Sequence, residues 1–243
     1  DVSGVRLVKL LAIETSTAQS GVVLSEGRTV IAEASRLDRR GHATFLIPAI
    51  DFCFEQAGWF PHDIDAIVVD LGPGLYTGIR VGVATAQGLA TALGIPVVGG
   101  SSLDTLALAA ATGHRHIYSL VDVRRGELAV ATYQPVPGGV VRDGPPALMT
   151  SEVLRAFLMS DPGNPLLVGD SAALPEDALS GIHRVKIGKP RYPTARTLLE
   201  VGLSQLEKDS FPSETLRPIY LREPDVTLNW DKLQPEGPWS APS

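Results

Sequence analysis

The chain has 243 residues, of which 44% are hydrophobic and 20% charged, with a formal net charge of −6 and a single cysteine. That balance is ordinary for a globular chain large enough to bury a sizeable core, and one thiol excludes an internal disulfide or a thiolate metal cluster. The acidic character, with a pI near 5.4, argues against a broad nucleic-acid footprint on this chain alone, so that any charge for binding RNA falls to a partner.

Asp1 to Arg6 reads as a short leader before the first strand. Arg6 and Lys9 interrupt the apolar run from Val5 to Leu11, so neither a signal peptide nor a membrane span is expected and the chain is assigned to the cytoplasm. From Leu7 the runs LVKLLAIET, VVLSEG and RTVIAEASRL, with STAQSG between the first two, predict an antiparallel meander whose clearest turn is Glu26-Gly27. The join Glu14-Thr15-Ser16-Thr17 offers a carboxylate and hydroxyls to a phosphate or metal, but its turn-forming residues favour a plain hairpin connection.

Gly41 to Gly58 carries Phe45, Leu46, Ala49, Ile50, Cys53 and Phe54 at helical spacing, with Gly58 as the stop and Pro48 as a kink or first-turn residue. Cys53 falls in that apolar run and is read as a core thiol. His42 opens the helix without a second histidine one turn on, because position 46 is Leu, and no metal site is expected there.

The stretch from Ala66 to Leu93 organises the first half. Ala66 to Leu71 is a β-branched run read as a buried strand. Gly72-Pro73-Gly74-Leu75-Tyr76-Thr77-Gly78 then makes a tight turn into a helix beginning at Thr77. Along that helix Gly78, Gly82, Ala86 and Ala90 fall every fourth residue. This row of small side chains is either a seam for another helix or a close fit to the chain's own sheet. Arg80 opposes the helix dipole in the first turn, which suggests that it is placed for a contact and favours the seam. On that view Gly82→Leu or Ala86→Leu leaves the fold intact and abolishes pairing. As a phosphate loop, Glu14, Thr15 and Ser16 with Gly72, Gly74 and Thr77 lack the required signatures. No Gly-Lys-Ser/Thr ends the turn, and the dinucleotide fingerprint requires Gly where Thr77 stands. No cofactor is expected.

Gly94 to Gly100 gives a further strand, and Ser101-Ser102-Leu103-Asp104 starts a helix with Leu103, Leu106 and Ala110 on one face. From His116 the pattern begins again: HIYSLVDV and ELAVATYQ joined at Arg124-Arg125-Gly126, a short run near Val140, a helix over Thr150 to Ser160, strands at Leu166 to Asp170 and Arg184 to Ile187, and a helix over Thr194 to Lys208. This echo predicts an α/β protein of two related lobes with mixed sheets flanked by helices, residues 1–108 and 109–222, followed by a flexible tail over 223–243. Gly169-Asp170-Ser171 is not a nucleophile elbow. His114 and His116 lack spaced partners, and Asp122, Arg124 and Glu127 read as a solvated charged hairpin. No catalytic constellation emerges.

LLAIETSTAQSGVVL, GHATFLIPAI, DLGPGLYTGIRVGVATAQGLA, VDVRRGEL and PIYLREP, in this order, resemble the TsaB family, also called YeaZ, from Leu10 to about Arg222. The resemblance implies two ribonuclease-H-like lobes of the actin, sugar kinase and Hsp70 fold. It also implies a role in making threonylcarbamoyladenosine next to the tRNA anticodon, as the non-catalytic partner of the paralogue TsaD, with the ATPase TsaE joining them. Contact with tRNA would come only through that complex, and the isolated chain would form a homodimer. The implied pairing face comprises His42, Leu46, Ile50, Tyr76, Gly78, Arg80, Gly82, Ala86 and Ala90. Glu14 stands where the family usually has Asp, and Leu75-Tyr76 where Ser-Phe is common. The alternatives are a metal-dependent peptidase or ATP-using transferase of the same superfamily, which Leu46 disfavours, and a self-associating protein with proteolytic or resuscitation-linked partners.

Overall fold

The strand β1 (Lys9–Glu14) is buried along both faces, which is the reason its sequence runs Leu-Leu-Ala-Ile rather than alternating with polar residues. Leu11 and Ile13 point into one apolar cluster, Leu10 and Ala12 into another on the opposite side. These observations come from a computed structural model that describes residues 7–207 and 216–221. The expected leader, Asp1 to Arg6, and the expected tail, 223–243, lie outside the described residues.

In the first sheet β1 pairs antiparallel with β2 (Gln19–Glu26), which pairs antiparallel with β3 (Thr29–Leu37). On its other edge β1 runs parallel to β4 (Ala66–Asp70), which runs parallel to β5 (Val97–Gly100). The meander is therefore as predicted, except that β2 begins at Gln19. That residue had been placed in the join; it pairs with Leu37 and so extends the ladder. Two helices, α1 (His42–Ala57) and α2 (Tyr76–Leu93), cover one face of this sheet. Both end on a glycine in the left-handed region, Gly58 at φ 66° and Gly94 at φ 67°. Pro48 falls inside α1, where it removes the N–H that Thr44's carbonyl would otherwise accept.

The second sheet repeats the plan. β6 (Ile117–Asp122) pairs antiparallel with β7 (Leu128–Val136) and parallel with β10 (Leu166–Gly169), which carries the two-residue β11 (Lys186–Ile187). β8 (Gly139–Arg142) and β9 (Ala147–Met149) both pair with β7. The Arg124-Arg125-Gly126 turn takes three successive positive φ values of 75°, 60° and 76°, which explains the sharp reversal there. β9 was not expected. The strand expected from Arg184 shrinks to Lys186–Ile187, because the Val185 amide is engaged in a turn, donating to the Ile182 carbonyl at 3.3 Å.

Three further α-helices lie among the described residues: α3 (Ser102–Ala109), α4 (Ser151–Ser160) and α5 (Ala195–Leu206), capped by the Ser101, Thr150 and Thr194 hydroxyls respectively. Two of them cross the expected lobe boundary. Leu103, Leu106 and Ala107 of α3, assigned to 1–108, pack into the core of the second sheet. Ala195, Leu198 and Leu199 of α5, assigned to 109–222, cover the free face of the first sheet against Leu10, Val23 and Val68. Gly202 allows this approach: a Cβ there would fall well under 3.0 Å from Val68. The lobes are thus interleaved rather than consecutive. No helix among the described residues is long and apolar enough to cross a membrane.

Candidate functional site

Two regions hold the residues singled out in the sequence: the joint between the β1–β2 loop and the glycine turn, and the outer surface of α1 and α2.

At the joint, strands β1 and β4 end side by side and deliver two carboxylates, Glu14 and Asp70, to one buried point. Ser16 Oγ lies 2.6 Å from Glu14 Oε1 and 3.3 Å from Asp70 Oδ2, and the Ser16 amide donates to Glu14 Oε1 at 2.7 Å. Asp70 Oδ1 accepts from the Gly72 amide at 2.6 Å and from the Ser102 hydroxyl at 2.8 Å. Burial, then the neighbouring Asp70 carboxylate, push Glu14 well above the usual carboxylate range, against the pull of the Ser16 donors. Burial also raises Asp70, opposed by its hydrogen-bond donors.

This joint is closed by direct backbone contact. The Leu75 amide donates to the Ser16 carbonyl at 2.6 Å, and Thr15 Oγ1 donates to the Gly78 carbonyl at 2.8 Å. Cβ atoms built on Gly74 or Gly78 would fall well under 3.0 Å from the Ser16 and Thr15 carbonyl oxygens. Among the turn's glycines Gly72 has the positive φ, 96°; Gly74 and Gly78 are needed because another backbone touches them. Glu14, Thr15, Ser16, Gly72 and Gly74 therefore do come together as the sequence suggested. They form a packed structural joint in which the Ser16 and Thr15 carbonyl oxygens abut Gly74 and Gly78. Thr77 is exposed on the helix outside it. Asp70 and Ser102 were missed, although an aspartate closing an apolar strand directly before Gly-Pro-Gly was the available signal.

The small-residue row corrects the seam reading. Gly78, Gly82, Ala86 and Ala90 are all buried within the chain, and a Cβ on Gly82 would overlap Thr15 Oγ1. The row seats α2 on the β1 loop and the first core, so Gly82→Leu and Ala86→Leu disrupt the fold itself. His42, Leu46 and Ile50 are likewise buried in α1. His42 Nδ1 meets the Ser20 hydroxyl at 2.7 Å, Nε2 has no hydrogen-bond partner, and burial lowers the ring's proton affinity. Four-residue periodicity identifies a helical row without saying whether it faces in or out, which is why the sequence alone left both readings open.

Tyr76 and Arg80 are exposed, but their contact is within the chain. The Arg80 guanidinium lies 3.8 Å from the Tyr76 ring centroid and donates to Tyr220 Oη at 3.1 Å. The 216–221 segment runs over this end of α2, with the Ile219 amide on the Leu71 carbonyl and the Leu216 carbonyl accepting from Gln87 Nε2. Arg80's placement against the helix dipole is thus accounted for by an aromatic pair of its own chain.

What α1 and α2 do present outward is a different set. On α1, Ile47 and Phe52 are 50% and 48% exposed. On α2 a second row of four-residue spacing, Ala84, Gly88 and Ala92, faces solvent, and a Cβ on Gly88 would meet nothing within 4 Å. Exposed apolar and small residues of this kind suit close packing against another protein surface. Cys53 is buried, and its thiol is raised to about 11 by burial. Among the described residues no group of three or more His, Cys, Asp or Glu side chains is gathered to hold a metal ion.

A family model described as TsaD: tRNA N6-adenosine threonylcarbamoyltransferase matches residues 30–156. The tRNA threonylcarbamoyladenosine biosynthesis protein TsaB of Bacillus subtilis is 32% identical over 93% of this chain and 99% of its own length. The protein of the same name from Escherichia coli is 29% identical over 93% and 98%. Among solved structures, YeaZ from Pseudomonas aeruginosa superposes with a TM-score of 0.72 at 26% identity, covering 88% of this chain and all of that one.

Proposed function

The chain belongs to the TsaB (YeaZ) family, and from that membership we propose that it serves tRNA threonylcarbamoyladenosine biosynthesis as a non-catalytic subunit that binds and steadies a TsaD-like catalytic relative. The observation that carries this reading is the exposure of apolar and small residues, Ile47 and Phe52 on α1 and Ala84 and Gly88 on α2, on two helices whose buried faces are fixed by the first sheet. Small exposed side chains such as Ala84 and Gly88 allow another helix to approach closely at small cost in conformational entropy. The closed joint at Ser16 and Gly74 supports the non-catalytic role, since the loop that would cradle a phosphate is in direct backbone contact with the glycine turn. A TsaE-like ATPase would join the pair, tRNA would be met only through the assembly, and the same patch would serve a homodimer when the relative is missing.

Reconstitution tests the proposal. The catalytic relative and the ATPase, with substrate tRNA, ATP and an activated threonylcarbamoyl donor, are expected to form threonylcarbamoyladenosine only when this chain is added, and this chain with tRNA and the same donor is expected to form none. Modification by this chain alone would overturn it, as would full modification in its absence.

A further inference from the structure

The joint between β1, β4 and α3 contains a polar atom that the surrounding donors do not satisfy. Glu14 Oε1 takes both Ser16 donors, while Oε2 is fully buried with no hydrogen-bond donor among the described residues. A second buried carboxyl, that of Asp70 on the adjacent strand β4, is bridged to the Glu14 carboxyl through Ser16 Oγ. Among the described residues the other elements packed there bring no cation. The loop supplies Ser16, α3 supplies Ser102, and the turn supplies the Gly72 amide. On α1, His42 is held on Ser20. Two buried carboxylates bridged in this way without a counter-cation cannot both ionise at acceptable cost.

We propose that Glu14 and Asp70 hold one proton between them at neutral pH, and that this shared proton latches α3 onto the first sheet. The proton sits on the Glu14 carboxyl and is shared with Asp70, whose other acceptor positions are directed at Gly72, Ser102 and Ser16. Ser102 makes the consequence larger than local. Its amide donates to the Gly72 carbonyl at 3.0 Å, and its hydroxyl lies 2.9 Å from Ser16 Oγ as well as on Asp70. It is also the first residue of the helix whose Leu103 and Leu106 are core residues of the second sheet. Loss of the proton leaves two like charges at the point where the first lobe grips the helix of the second.

The sign follows from linkage. A carboxyl that binds its proton more tightly folded than unfolded contributes fully below its unfolded pKa of about 4.3, and the contribution drains away as the pH rises toward the folded value. Glu14→Gln supplies a permanent N–H where the proton sits, so it removes this dependence. The folding equilibrium constant of Glu14→Gln relative to wild type is therefore expected to rise between pH 5 and 8, by up to about tenfold per pH unit. Hydrogen exchange at 70–74 and 101–105, corrected for the intrinsic rate, is expected to quicken from pH 7 to 9 in wild type and to stay flat in the variant. A ratio of folding constants independent of pH would overturn the latch. A second measurement needs no variant: infrared spectroscopy of wild type with carbon-13-labelled glutamate at pH 7 should show the carbonyl stretch of a protonated carboxylic acid, and its absence would overturn the proposal.

Discussion

Thr15 and Gly78 hold each other face to face: the threonine hydroxyl donates to the glycine carbonyl at 2.8 Å, and the threonine carbonyl occupies the space where a Cβ on Gly78 would stand. Helix α2 is therefore set by its contact with the β1–β2 loop. Gly82, one turn further on, meets the same threonine. Gly82→Leu is expected to destabilise the isolated chain by about 3 kcal/mol, the upper part of the range for forcing extra methylenes into a packed core. Chemical denaturation of the purified variant measures it, and an unchanged midpoint would contradict the buried placement of the row.

The opposite face of α2 should behave in the opposite way. Gly88 is exposed and has open space around it, so Gly88→Ala is expected to stabilise the chain by about 1 kcal/mol through helix propensity alone. Thermal unfolding checks it, and a loss of stability would mean that Gly88 is packed.

Much of this was legible in the sequence. Gly58 and Gly94 mark helix ends and take left-handed conformations, and Thr150 and Thr194 mark helix starts and cap them, because each signal lies within a few residues of its effect. What could not be read were contacts between distant residues. Ser102 reaches Ser16 across 86 positions and Tyr220 reaches Arg80 across 140. Likewise the four-residue row on α2 was visible, while its inward direction depended on where Thr15 would lie. The assignment of α5 to the second lobe failed for the same reason, since its apolar stripe fits either sheet and Gly202 against Val68 selects the first.

In the second lobe Asp161 accepts from the Gly163 amide at 2.6 Å, Tyr118 Oη at 2.7 Å and His116 Nδ1 at 2.9 Å. Burial works to raise its carboxyl, but these donors outweigh it and hold Asp161 below its ordinary value. The stabilisation is present above the unfolded pKa of about 3.9 and is lost as the pH falls through the lower folded value. Asp161→Asn is expected to cost about 2 kcal/mol at pH 7 and to flatten the acid side of the stability profile. Urea midpoints from pH 3 to 7 for both proteins test this, and parallel profiles would contradict it.

Cys53 sits among core residues with its thiol raised to about 11 by burial. A disulfide reagent at pH 8 is expected to label it only as fast as the chain opens, with immediate reaction in denaturant. Rapid labelling of the native protein would show that α1 is not seated as described.

The central claim is that this chain acts by lending the outer face of α1 and α2 to a catalytic relative. It is tested most directly by mixing wild type or Gly88→Arg with a TsaD-like protein and measuring the mass of the eluting species by light scattering. Wild type is expected to elute as a complex with that protein, and Gly88→Arg, with thermal stability no lower than that of wild type, as the separate components. A complex that survives the substitution at undiminished affinity would contradict the claim.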